Sequence, residues 1–174
     1  MNFFWIFRPT KFSHKLNCSK AEILKILHSK VDLMDGNILF PHYVFSYRNR
    51  SFSGFLNNDG QFKLVHNPVR YQNSWRPIII GEISDDKVQP QHSNFSFKIT
   101  INIFSRIFTI LWLFLFLAAA LLNFFSNILT GSCQLLAGLI IYGILTAFYS
   151  VSETKSLDAI NKICSPYIQQ ENAD

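Results

Sequence analysis

The chain has 174 residues, a net charge of +5 and an apolar content of 49%, with 18 Phe among those residues. That length allows one modest domain with a small appendage. Cys18, Cys133 and Cys164 are too far apart to read as a disulfide framework or a zinc site, so no cofactor and no metal is expected. The charge is unevenly placed. Between Arg106 and Glu153, 46 consecutive residues include no Asp, Glu, Lys, Arg or His.

At the N-terminus, "MNFFWIFRPTKF" has an apolar run too short for a signal-peptide core and no small-residue cleavage site. Residues 2–7 read either as a first strand, the preferred reading, or as an aromatic anchor at a membrane interface. A helix is expected over 19–31. Ser19 and Glu22 form a capping-box pair, and Ile23, Leu24, Ile26, Leu27 and Val31 make an apolar stripe opposite Lys20, Lys25 and Lys30.

From there the period changes to two. Strands are expected at about 52–57 and 61–66, joined at Asn58-Asp59-Gly60, where Asp-Gly suits a tight hairpin. Gly54 suggests a bulge or a close backbone approach. A third strand is expected over 77–83. Pro77 belongs at its first residue, Ile78 to Ile80 are buried on both faces, and Gly81 ends or bulges it. The clearest strand, at 94–103, alternates Phe95, Phe97, Ile99, Ile101 and Ile103 with Ser96, Lys98, Thr100 and Asn102. It leads almost directly into the uncharged stretch.

A transmembrane helix needs about 20 apolar residues, and the uncharged stretch holds two. The spans are read at 107–125 and 135–151, with an external turn over 126–134. Helices are the natural form in lipid because they satisfy their own backbone groups. Fourteen of the 16 Lys and Arg precede the spans and none lies between them. The positive-inside rule therefore puts the 1–106 α+β domain and both termini in the cytoplasm. Residues 152–174 are expected to form an amphipathic helix, with Leu157, Ile160, Ile163 and Cys164 on one face and Pro166 ending it, packed back on the sheet. The fold class is thus an α+β membrane protein. It has a small antiparallel sheet domain with flanking helices and a helical hairpin inserted before the C-terminal helix.

The order of a capped helix, an F-x-G strand (Phe52, Gly54) and a Y-x-N-S-W-x-P-x-I-x-G stretch (Tyr71, Asn73, Ser74, Trp75, Pro77, Ile79, Gly81) is distinctive. With the alternating strand, the apolar hairpin and a tail helix beginning at Glu153, it resembles a family of small bacterial two-span membrane proteins of unknown function. The likeness runs from about Asn17 to Ile163. It departs in the long Asp85 to Ser93 connector and in the few basic residues entering the first span. The resemblance implies architecture and a place in the bacterial inner membrane, and no chemistry.

No catalytic set is legible. His14, His28, His42, His66 and His92 are scattered, and turn formation accounts for Glu82, Asp85 and Asp86 better than cation binding does. Arg48 and Arg50 beside Tyr47 and Phe52 hint at single-stranded nucleic acid, a partner that tethering to a membrane disfavours. The expectation is a non-enzymatic, membrane-anchored interaction module in contact with the lipid bilayer. It would bind a protein partner or anionic lipid through Tyr71, Asn73, Trp75 and Arg76, with oligomeric state left open. The alternative is a helix-grip or pleckstrin-like sheet enclosing a lipid or other apolar ligand at the membrane surface, an analogy of fold alone.

Overall fold

The computed structural model describes residues 9–33, 50–67 and 77–168. Its strands are β1 (Thr10–Leu16), β2 (Val31–Leu33), β3 (Phe52–Leu56), β4 (Gln61–His66), β5 (Pro77–Asp85) and β6 (Ser93–Ile101). Its helices are α1 (Lys20–Lys30), α2 (Ile103–Ser126) and α3 (Ile128–Cys164), followed by a 3-10 turn at Ser165–Tyr167. The strands form one sheet in the order β1-β6-β5-β4-β3-β2.

Strands β3 to β6 make an antiparallel meander, and β1 closes it by pairing with β6, Phe12 opposite Phe97. The sheet is mixed rather than purely antiparallel, because β2 pairs in parallel with β3, Val31 opposite Phe52. The two outer strands, β1 and β2, were not expected. β1 alternates lysines with half-buried residues, the weak pattern of an edge strand, and β2 spans only three residues. Residues 2–7 lie outside the described residues.

The register puts Leu16, Phe52, Phe62, Leu64, Ile79, Ile83, Phe95, Phe97 and Ile99 on one face, all buried. Helix α1 covers that face with Ile23 and Leu27, and the end of α3 covers it with Ile160 and Cys164. The capping box forms as the sequence implies: Glu22 N donates to Ser19 Oγ at 3.3 Å and Ser19 N donates to the Glu22 carboxylate at 2.9 Å. These bonds hold the Glu22 carboxyl below its usual range. At the other end of α1, Arg50 Nη1 donates to the carbonyls of His28 (2.7 Å) and Val31 (2.8 Å). Arg50 thus ties the helix C-terminus to β2.

Gly60 has φ +90° and closes the β3–β4 hairpin, its carbonyl accepting from Ile83 N at 2.9 Å. Gly54 makes a close approach, since a Cβ there would stand 2.1 Å from the Lys63 carbonyl oxygen. Gly81 neither ends nor bulges β5, which runs on to Asp85. Its role is space: a Cβ there would lie 2.5 Å from Phe62 Cζ and 2.7 Å from Phe97 Cβ. The missing side chain lets two aromatic neighbours pack over the strand.

Asn102 alone separates β6 from α2, and its side chain caps the helix by accepting from Phe104 N at 2.9 Å. The expected nine-residue turn is reduced to Asn127, whose side chain accepts from Leu129 N (3.0 Å) and Thr130 N (3.3 Å). The next seven residues hold no proline, and Gly131 sits directly against Phe124, so the second helix starts at once. The second span and the tail helix are likewise one element. No Pro or Gly occurs between Gly143 and Pro166, and α3 runs unbroken for 37 residues, about 56 Å at ~1.5 Å per residue. Two of the helices are long and apolar enough to cross a membrane, and only 11% of the residues in the most apolar window of each are buried inside the protein.

Replacing Gly81 with Val is expected to lower stability by about 2 kcal/mol or more, as overpacking does. Thermal unfolding of the detergent-solubilised protein, followed by aggregation temperature, measures it.

Candidate functional site

One face of the sheet is covered by helices; across its other face, register aligns side chains in rows perpendicular to the strands. Nearest the end where α2 departs, the row reads Thr100, Ile78, Val65, Ser53 and Asp32. Ile78 and Ser53 are buried there, and the Asn67 amide donates to Ser53 Oγ. The next row reads Lys11, Lys98, Ile80, Lys63 and Phe55. Lys11, Lys98 and Phe55 are exposed, with Ile80 and Lys63 half-buried. Beyond it lie Ser13, Ser96, Glu82 and Gln61.

These two outer rows line an open depression of about 720 Å³. Three lysines and one carboxylate, Glu82, face it. Lys11 and Lys98 are direct cross-strand partners, a like-charge arrangement that costs stability. Lys63 stands between Ile80 and Phe55, and burial pushes its ammonium below the usual lysine range. A depression built this way favours an anionic ligand with some apolar surface, since a negative charge relieves both penalties.

A second polar group sits where the sheet meets the helical hairpin. Thr10 Oγ1 donates to the Glu153 carboxylate at 2.6 Å, joining the first strand to α3. Arg106, in the first turn of α2, donates from Nη2 to Thr100 Oγ1 at 3.1 Å, while its Nε is buried with no hydrogen-bond partner. Tyr149 packs with Ile101 in this junction.

Of the residues singled out from the sequence, Tyr71, Asn73, Trp75 and Arg76 lie outside the described residues. The described residues on either side of them, Asn67 and Pro77, both lie at the end of the sheet where α2 departs. Glu82, Asp85 and Asp86 do not form a cluster. Glu82 faces the depression, whereas Asp86 accepts from Lys15 at 2.8 Å and from Val88 N at 2.9 Å. The Lys15 hydrogen bond, aided by Val88 N, holds the Asp86 carboxyl below its usual range. Among the described residues, no three His, Cys, Asp or Glu side chains are placed to hold a metal. Arg50, weighed above as a nucleic-acid contact, is engaged with α1, β2 and, at 3.5 Å, Asp32. Cys18 and Cys164 are buried and Cys133 is exposed. Burial pushes the Cys18 thiol up, and the Cys164 thiol up to about 12.

The depression was not found from sequence. Alternation had put Lys98 on the polar side of its strand, but its neighbours across β1, β5 and β4 are set by pairing. No protein family, curated protein or solved structure matches the chain in the comparisons made.

Removing one of the facing charges should help folding. Lys98→Thr is expected to raise stability by about 0.2–1 kcal/mol at low ionic strength, through loss of the like-charge pair and gain of a strand-forming side chain. The gain should shrink in high salt, as a screened surface interaction does. Unfolding midpoints of the two proteins at low and high salt check it.

Proposed function

We propose that this protein is a non-catalytic binding module anchored in the cell membrane by α2 and α3, with the sheet and both chain ends on the cytoplasmic side. The uncovered row of Lys11, Lys98, Ile80, Lys63 and Phe55 binds an acidic segment of a protein partner at the membrane surface. The observation that carries this reading is a half-apolar, basic depression on a sheet whose other face is already packed.

Support for the anchor comes from the exposed apolar surface of the hairpin, where Phe125 is 92% and Leu122 74% exposed. An exposed apolar surface of that size among the described residues is of the kind that marks a membrane or protein contact. Lys98, Arg106 and Lys155 flank the apolar segment on the sheet side, and the Asn127 turn carries no charge, which supports the orientation. The resemblance to small bacterial two-span membrane proteins points the same way and puts the membrane at the bacterial inner membrane.

A protein segment is favoured over the leaflet as partner because the row between the lysines and the hairpin is buried at Ile78 and Ser53. The lysines are therefore set back from the lipid by one row. The alternative of an apolar ligand held by the sheet is less well supported. Its covered face is filled by Phe62, Phe95, Leu27 and Ile160, all buried.

Two experiments test this reading. A photo-reactive amino acid at position 55 should give a discrete protein adduct in intact cells. The adduct should vanish when Lys11→Glu and Lys98→Glu are combined, and should not form from position 25 on α1. Lipid adducts alone, or the same adduct from position 25, would refute the proposed face. Topology is tested by the native cysteines, because Cys133 is exposed near the Asn127 turn while Cys18 and Cys164 are buried with raised thiol pKa values. A membrane-impermeant maleimide should label Cys133 on intact spheroplasts; labelling only after lysis would reverse the orientation.

A further inference from the structure

Below Arg106, the pairing of α2 with α3 leaves a slot. It is lined on α2 by Phe108, Thr109, Trp112 and Phe116 and on α3 by Gly138 and Tyr142, among others, with a volume of about 260 Å³. Aromatic side chains form one wall, with Phe108 and Trp112 ring centroids 6.4 Å apart and those of Trp112 and Phe116 4.8 Å apart. Gly138 lies opposite Phe116, where a Cβ would stand 3.4 Å from Phe116 Cβ, so the two helices approach closely at this wall of the slot. The slot begins two residues beyond Arg106 and ends near Phe116, a length of about 12 Å at ~1.5 Å per residue.

Arg106 stands at the upper end of the slot. Its Nη2 is directed to Thr100 on the uncovered face of β6, and Lys98 is the next residue outward on that face. Glu153, the carboxylate of the junction, accepts from Thr10 on the helix-covered side. A narrow apolar slot thus begins within one helical turn of Arg106, with Thr109 and Leu113, three and seven residues on from it, among its lining.

We propose that this slot is the binding site for one anionic phospholipid of the cytoplasmic leaflet. One acyl chain lies against Trp112 and Phe116 alongside Gly138, and the phosphate is held by the Arg106 guanidinium. An acyl chain fits because the slot is narrow, apolar and open along its side, whereas a second transmembrane helix presents a broad ridge and packs at interaxial distances of about 8–10 Å. A phosphate suits Arg106 because a guanidinium offers several N–H donors to an oxyanion in fixed geometry, and charge-assisted bonds of that kind are the strong ones. This inference rests on the membrane placement of the hairpin. It does not depend on the sheet face binding a protein.

The full-length protein is reconstituted in nanodiscs of phosphatidylglycerol and phosphatidylcholine in equal parts, released gently and examined by native mass spectrometry. One phosphatidylglycerol should be retained per chain in preference to phosphatidylcholine. Gly138→Leu, which fills the slot, and Arg106→Gln, which removes the charge, should each cut retention by about tenfold, a loss of roughly 1.4 kcal/mol. Gly143→Leu is the control, since Gly143 has nothing within 4 Å of its Cβ position, and it should leave retention unchanged. Equal retention of the two lipids, no retained lipid, or equal loss in Gly143→Leu would overturn the site.

A second measurement keeps the slot itself intact. With Trp5→Phe and Trp75→Phe leaving Trp112 as the only tryptophan, brominated phosphatidylglycerol should quench its fluorescence more strongly than phosphatidylcholine with the same brominated chain. Equal quenching by the two would also overturn the proposal.

Discussion

The joint between β6 and α2 is a single residue, Asn102, and everything else in the structure is arranged around that shortness. A strand committed on both sides to partners cannot shift, so the first turn of α2 is fixed relative to the sheet. The second helix is fixed twice: by Asn127 at the hairpin tip, and by Ile160 and Cys164 in the sheet's core. Because α3 is continuous, the hairpin and the sheet are parts of one mechanical unit rather than beads on a linker. A bilayer crossing takes about 20 residues; α3 has 37, and its last turns pack on the sheet through Ile160 and Cys164.

The same constraint divides the sheet into two faces with different duties. Helices α1 and α3 both return to one face, so the core is one layer of helix on one layer of sheet, the minimum that buries an apolar surface. Among the described residues, no helix covers the other face at the lysine row. Local rules are broken there: like charges sit opposite each other on β1 and β6, and a lysine is held between Ile80 and Phe55. Such conflicts between local preference and fold are expected where a surface serves something outside the chain. On the covered face the rules are kept, with Phe62 stacked on Phe95 at 5.2 Å and Phe12 on Phe97 at 5.0 Å.

How much of this was legible depended on how local the signal was. The helix at Lys20–Lys30 and the strands at Phe52–Leu56, Gln61–His66, Pro77–Asp85 and Ser93–Ile101 follow from capping, turn chemistry and period, all of which act within a few residues. β1 and β2 did not show, because an edge strand owes its form to a partner distant in sequence: Thr10 pairs with Ile99, and Val31 with Phe52. The hairpin turn was drawn too long because polar residues in "SNILTGSCQ" read as loop. In fact one asparagine caps the next helix, and Gly131 tucks against Phe124. The lysine row could not be seen at all from spacing, since Lys11, Lys63 and Lys98 come from three strands and meet only through pairing.

Arg50 shows the limit of composition from the opposite direction. Beside Tyr47 and Phe52 it suggested a cation free to meet a polyanion, yet it is engaged by the carbonyls of His28 in α1 and Val31 in β2 and by Asp32. An arginine that satisfies carbonyls left unpaired at a helix end does structural work, and its charge is no guide to a partner. Lys98 and Arg106 differ because of what surrounds them. One faces an open depression with few acids, and the other, in the first turn of α2 just before an apolar slot, bonds Thr100 through Nη2 and has a buried Nε with no partner. Sorting the cations by what they already hold separates those that build the fold from those left available to bind. Among the described residues, Lys11, Lys63 and Lys98 are the cations that face the depression, while Lys20, Lys25 and Lys30 lie on α1.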